Sequence, residues 1–371
     1  MLNRGEPVGS VRMRPLGFVH RPRQHVRRGL AFAQSDRSLS VAGICVLLSS
    51  CSSAEPEPLG RAVTLERVRT VVRQDATAET AWLSRPSGLH YDASRDRLFA
   101  LDRDDQRVLE FTTSGEFVGA FGRHGEGPGE LRNIKAVGIA AGSVVVLDQG
   151  NSKLLVFDRK TRELATEVRL TGRVPNNMAT VGDTLVAVVP GPDGNLFELF
   201  SPDGRSLGAF GDGGFLGGYP GYLIADIGSG LIVVVRPELP EGRIYRLDGS
   251  PVEIFVFSEL SHVLAEWRDT FAENVWRRMG ALASADAGRI SAGKRYVTSL
   301  GAAGDGLFFV VAVPENLDVT PKEMWILDSR GRVKQRYAFD RPWVGGLTAS
   351  FPRIFAAGQE DEYGIHEYRI P

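Results

Sequence analysis

Six histidines are the first candidates for acid–base or metal chemistry, and their spacing assembles neither. His20 and His25 lie in a basic N-terminal stretch, while His90, His124, His262 and His366 are scattered. No two stand at the i, i+4 spacing that sets a pair of imidazoles on one helix face. Both cysteines, Cys45 and Cys51, precede the main body, so neither a disulfide framework nor a thiol nucleophile is expected in it. A Gly-x-Ser-x-Gly elbow is absent. The glycines of Gly125 to Glu130 suggest a phosphate cradle, but they lack the G-x-x-x-x-G-K-[ST] order and join strands instead of opening a helix. No catalytic residue, metal site or cofactor is therefore expected. Asp102, Asp148 and Asn151 flank tight turns, where short polar side chains cap neighbouring N–H groups.

The elements that position these residues repeat. Six apolar runs begin at Leu98, Val144, Leu185, Leu231, Leu307 and Ile354, separated by 46, 41, 46, 76 and 47 residues. Each is one strand of a recurring set; in the second set the strands read as 135–140, 143–147, 154–157 and 164–170. Four strands per period of about 45 residues predict a β-propeller, because a lone four-stranded sheet cannot bury both of its faces. The last repeat has about three strands, and the segment 62–72 is expected to supply the missing one. The expected fold is all-β: a six-bladed β-propeller over residues 61–371, closed by an N-terminal strand. Its 43 glycines among 371 residues suit a turn-rich chain.

The 76-residue interval holds an insertion between blades four and five. Leu260, Val263, Leu264, Trp267, Phe271, Val275, Met279 and Leu282 recur at helical spacing, predicting one amphipathic helix over 259–285. It could pack on the propeller, form a dimer face or close over a site. A membrane-surface role fits less well, since its polar face is not strongly basic.

The first 50 residues differ in kind. They carry eight arginines against Glu6 and Asp36, whereas the remaining 321 carry 36 cationic and 43 acidic residues. The apolar run 39–48 is too short to span a bilayer of about 30 Å and fits a signal-peptide core. Leu48-Ser49-Ser50-Cys51 resembles the lipobox of bacterial lipoproteins, followed by a polar tether to residue 60. That resemblance implies removal of 1–50, lipidation of Cys51 and a place in the bacterial cell envelope, periplasmic or surface-facing.

Phe121-Gly122-Arg123-His124-Gly125-Glu126-Gly127-Pro128-Gly129-Glu130, followed by Val144 to Asn151 and Val156-Phe157-Asp158, resembles an NHL repeat. More closely it is similar to six-bladed propeller lipoproteins of bacterial envelopes. The likeness is strong over 98–170 and fades elsewhere, with Val189, Val235 and Val311 where Asp102 and Asp148 stand in the first two blades.

In such a ring the inner strands begin on one face, beside the second-to-third-strand turns. Arg85, Arg132, Asn133, Asn176, Asn177, Tyr219, Tyr222, Arg295 and Trp343 fall at these strand starts. They predict a mouth suited to polar or anionic ligands by planar hydrogen bonding and stacking. Acidic turns surround it, including Asp104, Asp105, Glu241 and Glu360. The function expected is noncatalytic binding of an envelope protein, peptide or glycan by a chain held at the membrane through its lipid anchor. The competing expectation is a hydrolase or lyase of the lactonase-like propeller type, which would need carboxylates in the channel. Excess negative charge in the body opposes nucleic-acid binding.

Overall fold

A strand covered on both faces needs apolar side chains on both, and the second strand of each repeat meets that demand. Leu98, Phe99 and Ala100 are fully buried, as are Val144 to Leu147, Phe308 and Ile354. Each of these apart from Ala100 contributes about 1.5–3 kcal/mol on burial. The computed structural model describes residues 61–74, 82–171, 174–175, 177–188, 195, 197–211, 222–235, 241–257, 297–304, 306–312, 323–340, 346–359 and 363–371. All of them belong to the compact unit Pro56–Pro371. The expected leader, Cys51 with its tether, and the expected helix 259–285 lie outside the described residues.

Six blades, each a set of four antiparallel strands, follow one another along the chain, and a short parallel pair, Arg123–His124 with Glu130–Leu131, lies between the first two. Blade one comprises Pro86–Asp92, Arg97–Asp102, Arg107–Thr112 and Phe117–Phe121; blade two comprises Ile134–Ala140, Ser143–Asp148, Lys153–Asp158 and Leu164–Arg169. Asn177–Val181, Thr184–Val188, Phe197–Phe200 and Ser206–Phe210 form blade three. Blade four is built from Leu223–Gly228, Leu231–Val235, Glu241–Arg246 and Pro251–Val256. Val297–Gly304, Leu307–Ala312, Glu323–Leu327 and Val333–Phe339 make blade five. Blade six has Leu347–Ser350, Arg353–Gln359 and Tyr363–Arg369, with Arg67–Arg73 on its outer edge. The first strands touch one another in cyclic order from blade one round to blade six and back. Among the described residues there is no helix.

The segment 62–72 is shared between two blades instead of forming one strand. Val63–Leu65 runs parallel to Val333–Phe339 of blade five, and Arg67–Arg73 runs antiparallel to Tyr363–Arg369 of blade six. Asp340 fixes the division between them: its N–H donates to Leu65 O at 3.1 Å, and its Oδ2 accepts from Arg67 N at 3.1 Å. Leu65 is buried among Phe339, Tyr337 and Tyr368.

Charged groups join blades where apolar side chains do not. Arg159 of blade two reaches Asp92 and Glu110 of blade one, and its guanidinium lies 5.0 Å from the Phe99 ring centre. Where blade six meets blade one, Arg353 donates to Glu367 at 2.7 Å and to Asp96 at 2.8 Å. Burial raises the Glu367 pKa, but bonds from Arg353 and Arg69 outweigh it and hold the carboxyl below its ordinary range. Asp96 is lowered chiefly by the Thr113 hydroxyl, and Asp92 by Ser94 and Arg159 against the opposing effect of burial. A depressed folded-state pKa contributes stability above the unfolded value, and that stability is lost as pH falls through the folded one. The contribution of these carboxylates should therefore hold steady from neutral pH down to about 5 and be lost below about 4, where the melting temperature should drop steeply. An Asp96→Asn, Glu367→Gln double variant should melt lower at neutral pH and show a shallower acid fall. Parallel acid profiles in the two proteins would refute this account.

Candidate functional site

The ring of first strands encloses a central channel of about 380 Å³. Every blade contributes a small residue to its lining: Gly88, Ala136, Ala179, Ala225, Gly301 and Ala349. Those positions leave room that larger side chains would fill, a size within the range of small-ligand sites. Polar groups interrupt the small ones, notably Ser87, His90, Lys135, Asn177, Asp226 and Thr348. The ionisable members shift toward their uncharged forms. Burial pushes His90 down to about 4, with Arg159 adding to the shift and Asp92 opposing it. Burial lowers Lys135, helped by the charge of Arg103. Burial raises Asp226 although its carboxylate accepts the Gly228 N–H at 2.8 Å. In all three, desolvation is the largest cause, so the channel wall disfavours an uncompensated charge.

At the rim, Asp102 and Asp148 act as clamps. Each carboxylate is fully buried at the end of a second strand and grips the chain just ahead of its blade's first strand. Asp148 accepts from Arg132 N at 3.1 Å and Asn133 N at 2.9 Å, and Asp102 accepts from Ser84 N and Arg85 N at 3.1 and 2.9 Å. Blades one and two thus hold their channel mouths by the same device, and the expected turn-capping role of these aspartates extends across the blade.

Of the residues expected at the mouth, five are described. Arg85 is exposed and paired with Asp104 at 2.7 Å; Arg132 is exposed and paired with Glu126 at 2.6 Å. Asn133 follows Arg132 directly and reaches Gln149 at 3.5 Å. Asn177 lines the channel and donates to the Tyr222 carbonyl at 2.9 Å, tying blade three to blade four. Tyr222 itself is 2% exposed in a cluster with Val186, Phe197 and Ile232, so its ring is core packing. Asn176, Tyr219, Arg295 and Trp343 lie outside the described residues. Arg132 and Asn133 thus share the blade-two rim, and Asn177 and Tyr222 share the next junction.

Lys135 and Asp226 escaped sequence reasoning, and His90 reads there only as one of the scattered histidines. Their signal is a titratable residue inside an otherwise apolar or small-residue first strand, as in Ile134-Lys135-Ala136 and Ala225-Asp226-Ile227.

The glycine-rich loop is closed on itself, and no cradle of free N–H groups emerges. Gly125 N donates to Leu131 O, and Gly127 N to the Glu130 carboxylate at 2.8 Å. Asn151 and the buried Lys153 donate to its carbonyls.

On the opposite face, a wider hollow of about 720 Å³ is lined by Asp92, Asp158, Asp183, Lys160 and backbone of blades one and two. Its carboxylates are already engaged: Asp158 caps Lys160 N and Thr161 N, Asp183 accepts from Ala141 N, and Asp92 holds Ser94 and Arg159. Among the described residues, no group of three or more His, Cys, Asp or Glu side chains could hold a metal ion.

Known proteins resemble this chain at the level of architecture. No curated protein matches it. A solved structure from Bacteroides fragilis, of a protein described as exported, superposes with a TM-score of 0.50 at 15% identity, covering 84% of this chain and 100% of that one. A family model described as a 6-bladed beta-propeller matches residues 76–197. Six sheets, a cyclic order of first strands and these two likenesses together make the chain an all-β, six-bladed β-propeller.

Proposed function

We propose that this chain is an exported, lipid-anchored propeller of NHL-repeat type that binds a polar ligand, a protein, peptide or glycan segment, at the mouth of its central channel without transforming it. The channel carries this reading: six small residues leave space around a few desolvated polar groups, beneath a rim that bears Arg85, Arg132 and Asn133. Its ionisable groups stand on different blades, as suits recognition more than paired acid–base chemistry. In this reading the N-terminal strand latches the ring and residues 259–285 form the amphipathic insertion beside the mouth. The fold does not choose the ligand; the rim does.

Photo-crosslinking in native envelopes tests the site. A crosslinker at position 132 should capture a discrete partner, whereas one at Val252, exposed on the outer strand of blade four, should not. Equal labelling from both positions would overturn the mouth as binding surface. The anchor is tested separately. Cys51→Ser should move the protein from membranes to the soluble fraction, and a variant that stays bound through a high-salt wash would remove the lipid from the proposal.

A further inference from the structure

The cations around the mouth fall into two groups. Arg85, Arg107 and Arg132 each have a carboxylate partner: Asp104 at 2.7 Å, Asp105 at 2.9 Å and Glu126 at 2.6 Å. Asp102 is occupied by the N–H groups of Ser84 and Arg85. Lys135 and Arg103 have no carboxylate partner among the described residues, and the acidic groups of that neighbourhood are already committed. Lys135 is half-buried and lines the channel; Arg103 is exposed on the turn that follows the second strand of blade one.

A single buried side chain ties the backbone of Arg103 to the start of the strand that carries Lys135. The Gln106 amide donates to the Arg103 carbonyl, and its oxygen accepts the N–H of Ile134, the residue before Lys135, at 3.1 Å. Arg103 N is in turn fixed to Arg85 O at 2.9 Å. The turn of blade one is thereby pinned against the start of blade two. The Lys135 pKa is lowered by burial first and by the charge of Arg103 second, so each cation disfavours the other's charge. A protein gains nothing from such repulsion when the site is empty, whereas a bound oxyanion converts it into two charge-assisted contacts.

We infer that Lys135 and Arg103 form an oxyanion subsite at the channel mouth, taking a carboxylate or phosphate group of the ligand. The inference rests on the channel-mouth reading above and supplies the charge of its ligand. Because Lys135 faces a channel of about 380 Å³, the anionic group belongs to a ligand small enough, or slender enough, to enter it.

Isothermal titration of the full chain with glucuronate, inorganic phosphate and glucose tests the subsite. Glucuronate or phosphate should bind, and glucose should bind at least tenfold more weakly. Glucuronate alone identifies a carboxylate site, and phosphate alone a phosphate site. A Lys135→Gln, Arg103→Gln double variant should lose at least tenfold in affinity while melting at or above the wild-type temperature. In the wild-type protein, the Lys135 side-chain NMR resonance should move on saturation, a readout that needs no variant to fold. Absence of binding by both anions up to high millimolar concentration, or binding undiminished in the folded double variant, would overturn the subsite. An unmoved Lys135 resonance would do the same. Failure of crosslinking at position 132 with anion binding intact would instead remove the proposed ligand reading and leave the subsite.

Discussion

An Asp148→Ala chain is expected to lose on the order of 4 kcal/mol of stability, more than its position in a turn suggests. The carboxylate is fully buried and accepts four backbone N–H groups, from Arg132, Asn133, Gly150 and Asn151, at 2.9 to 3.4 Å. Alanine leaves these donors without acceptors, and each buried orphan costs about 1–3 kcal/mol. The two turn donors can recover part of that from water, which keeps the total below the sum. Asp102→Ala, whose carboxylate accepts two such groups, from Ser84 and Arg85, should cost about half as much. The Asp148→Asn change keeps one acceptor oxygen and should fall between. In urea the midpoint should drop at constant slope. An unfolding free energy for Asp148→Ala within about 0.5 kcal/mol of wild type, the range of ordinary surface changes, would show that the clamp contributes little.

Removal of residues 61–73 should be more damaging still. Leu65, Val71 and Val72 leave buried positions, at about 1.5–3 kcal/mol each, a sum that approaches the whole stability of an ordinary domain. Glu367, 2% exposed, also loses its bond from Arg69. The outer strands of blades five and six become bare edges, which invite pairing with other chains. The expected result is loss of the cooperative melt together with aggregation, read by calorimetry and light scattering. A point change separates the two contacts: Leu65→Asp should disturb blade five, whereas Val72→Asp should disturb blade six. A truncated chain that melts as sharply as the intact one would show that these strands decorate the ring and do not secure it.

The repeat is legible in the sequence because the second strands are buried on both faces, which forces runs such as Val144 to Leu147 at a nearly constant period. The split of segment 62–72 is not legible. Three residues in parallel pairing carry no alternation or turn chemistry of their own, and the break depends on Asp340, far along the chain. The mouth is legible only as residue types at strand starts. That Arg85 and Arg132 are neutralised by Asp104 and Glu126 follows from turn geometry, and that Tyr222 is buried follows from its packing among Val186, Phe197 and Ile232 just before blade four begins. Lys135 reads as one more strand residue until the ring turns it toward the channel.

The seam between blades six and one has its own consequence. A methyl group on Gly346 would lie 2.5 Å from the Gly88 Cα and the Leu89 nitrogen, so the two backbones meet with nothing between them. Thr348 Oγ1 takes the Tyr91 N–H at 3.1 Å just beyond. The circle is therefore drawn tight at one interval, where no side chain can be enlarged to spread it. Changes in bore, and with them changes in what the propeller can admit, have to be made at the other five intervals. The radius of the hole is thus set at the seams from blades one and two round to blades five and six, while the junction of the last blade with the first stays fixed.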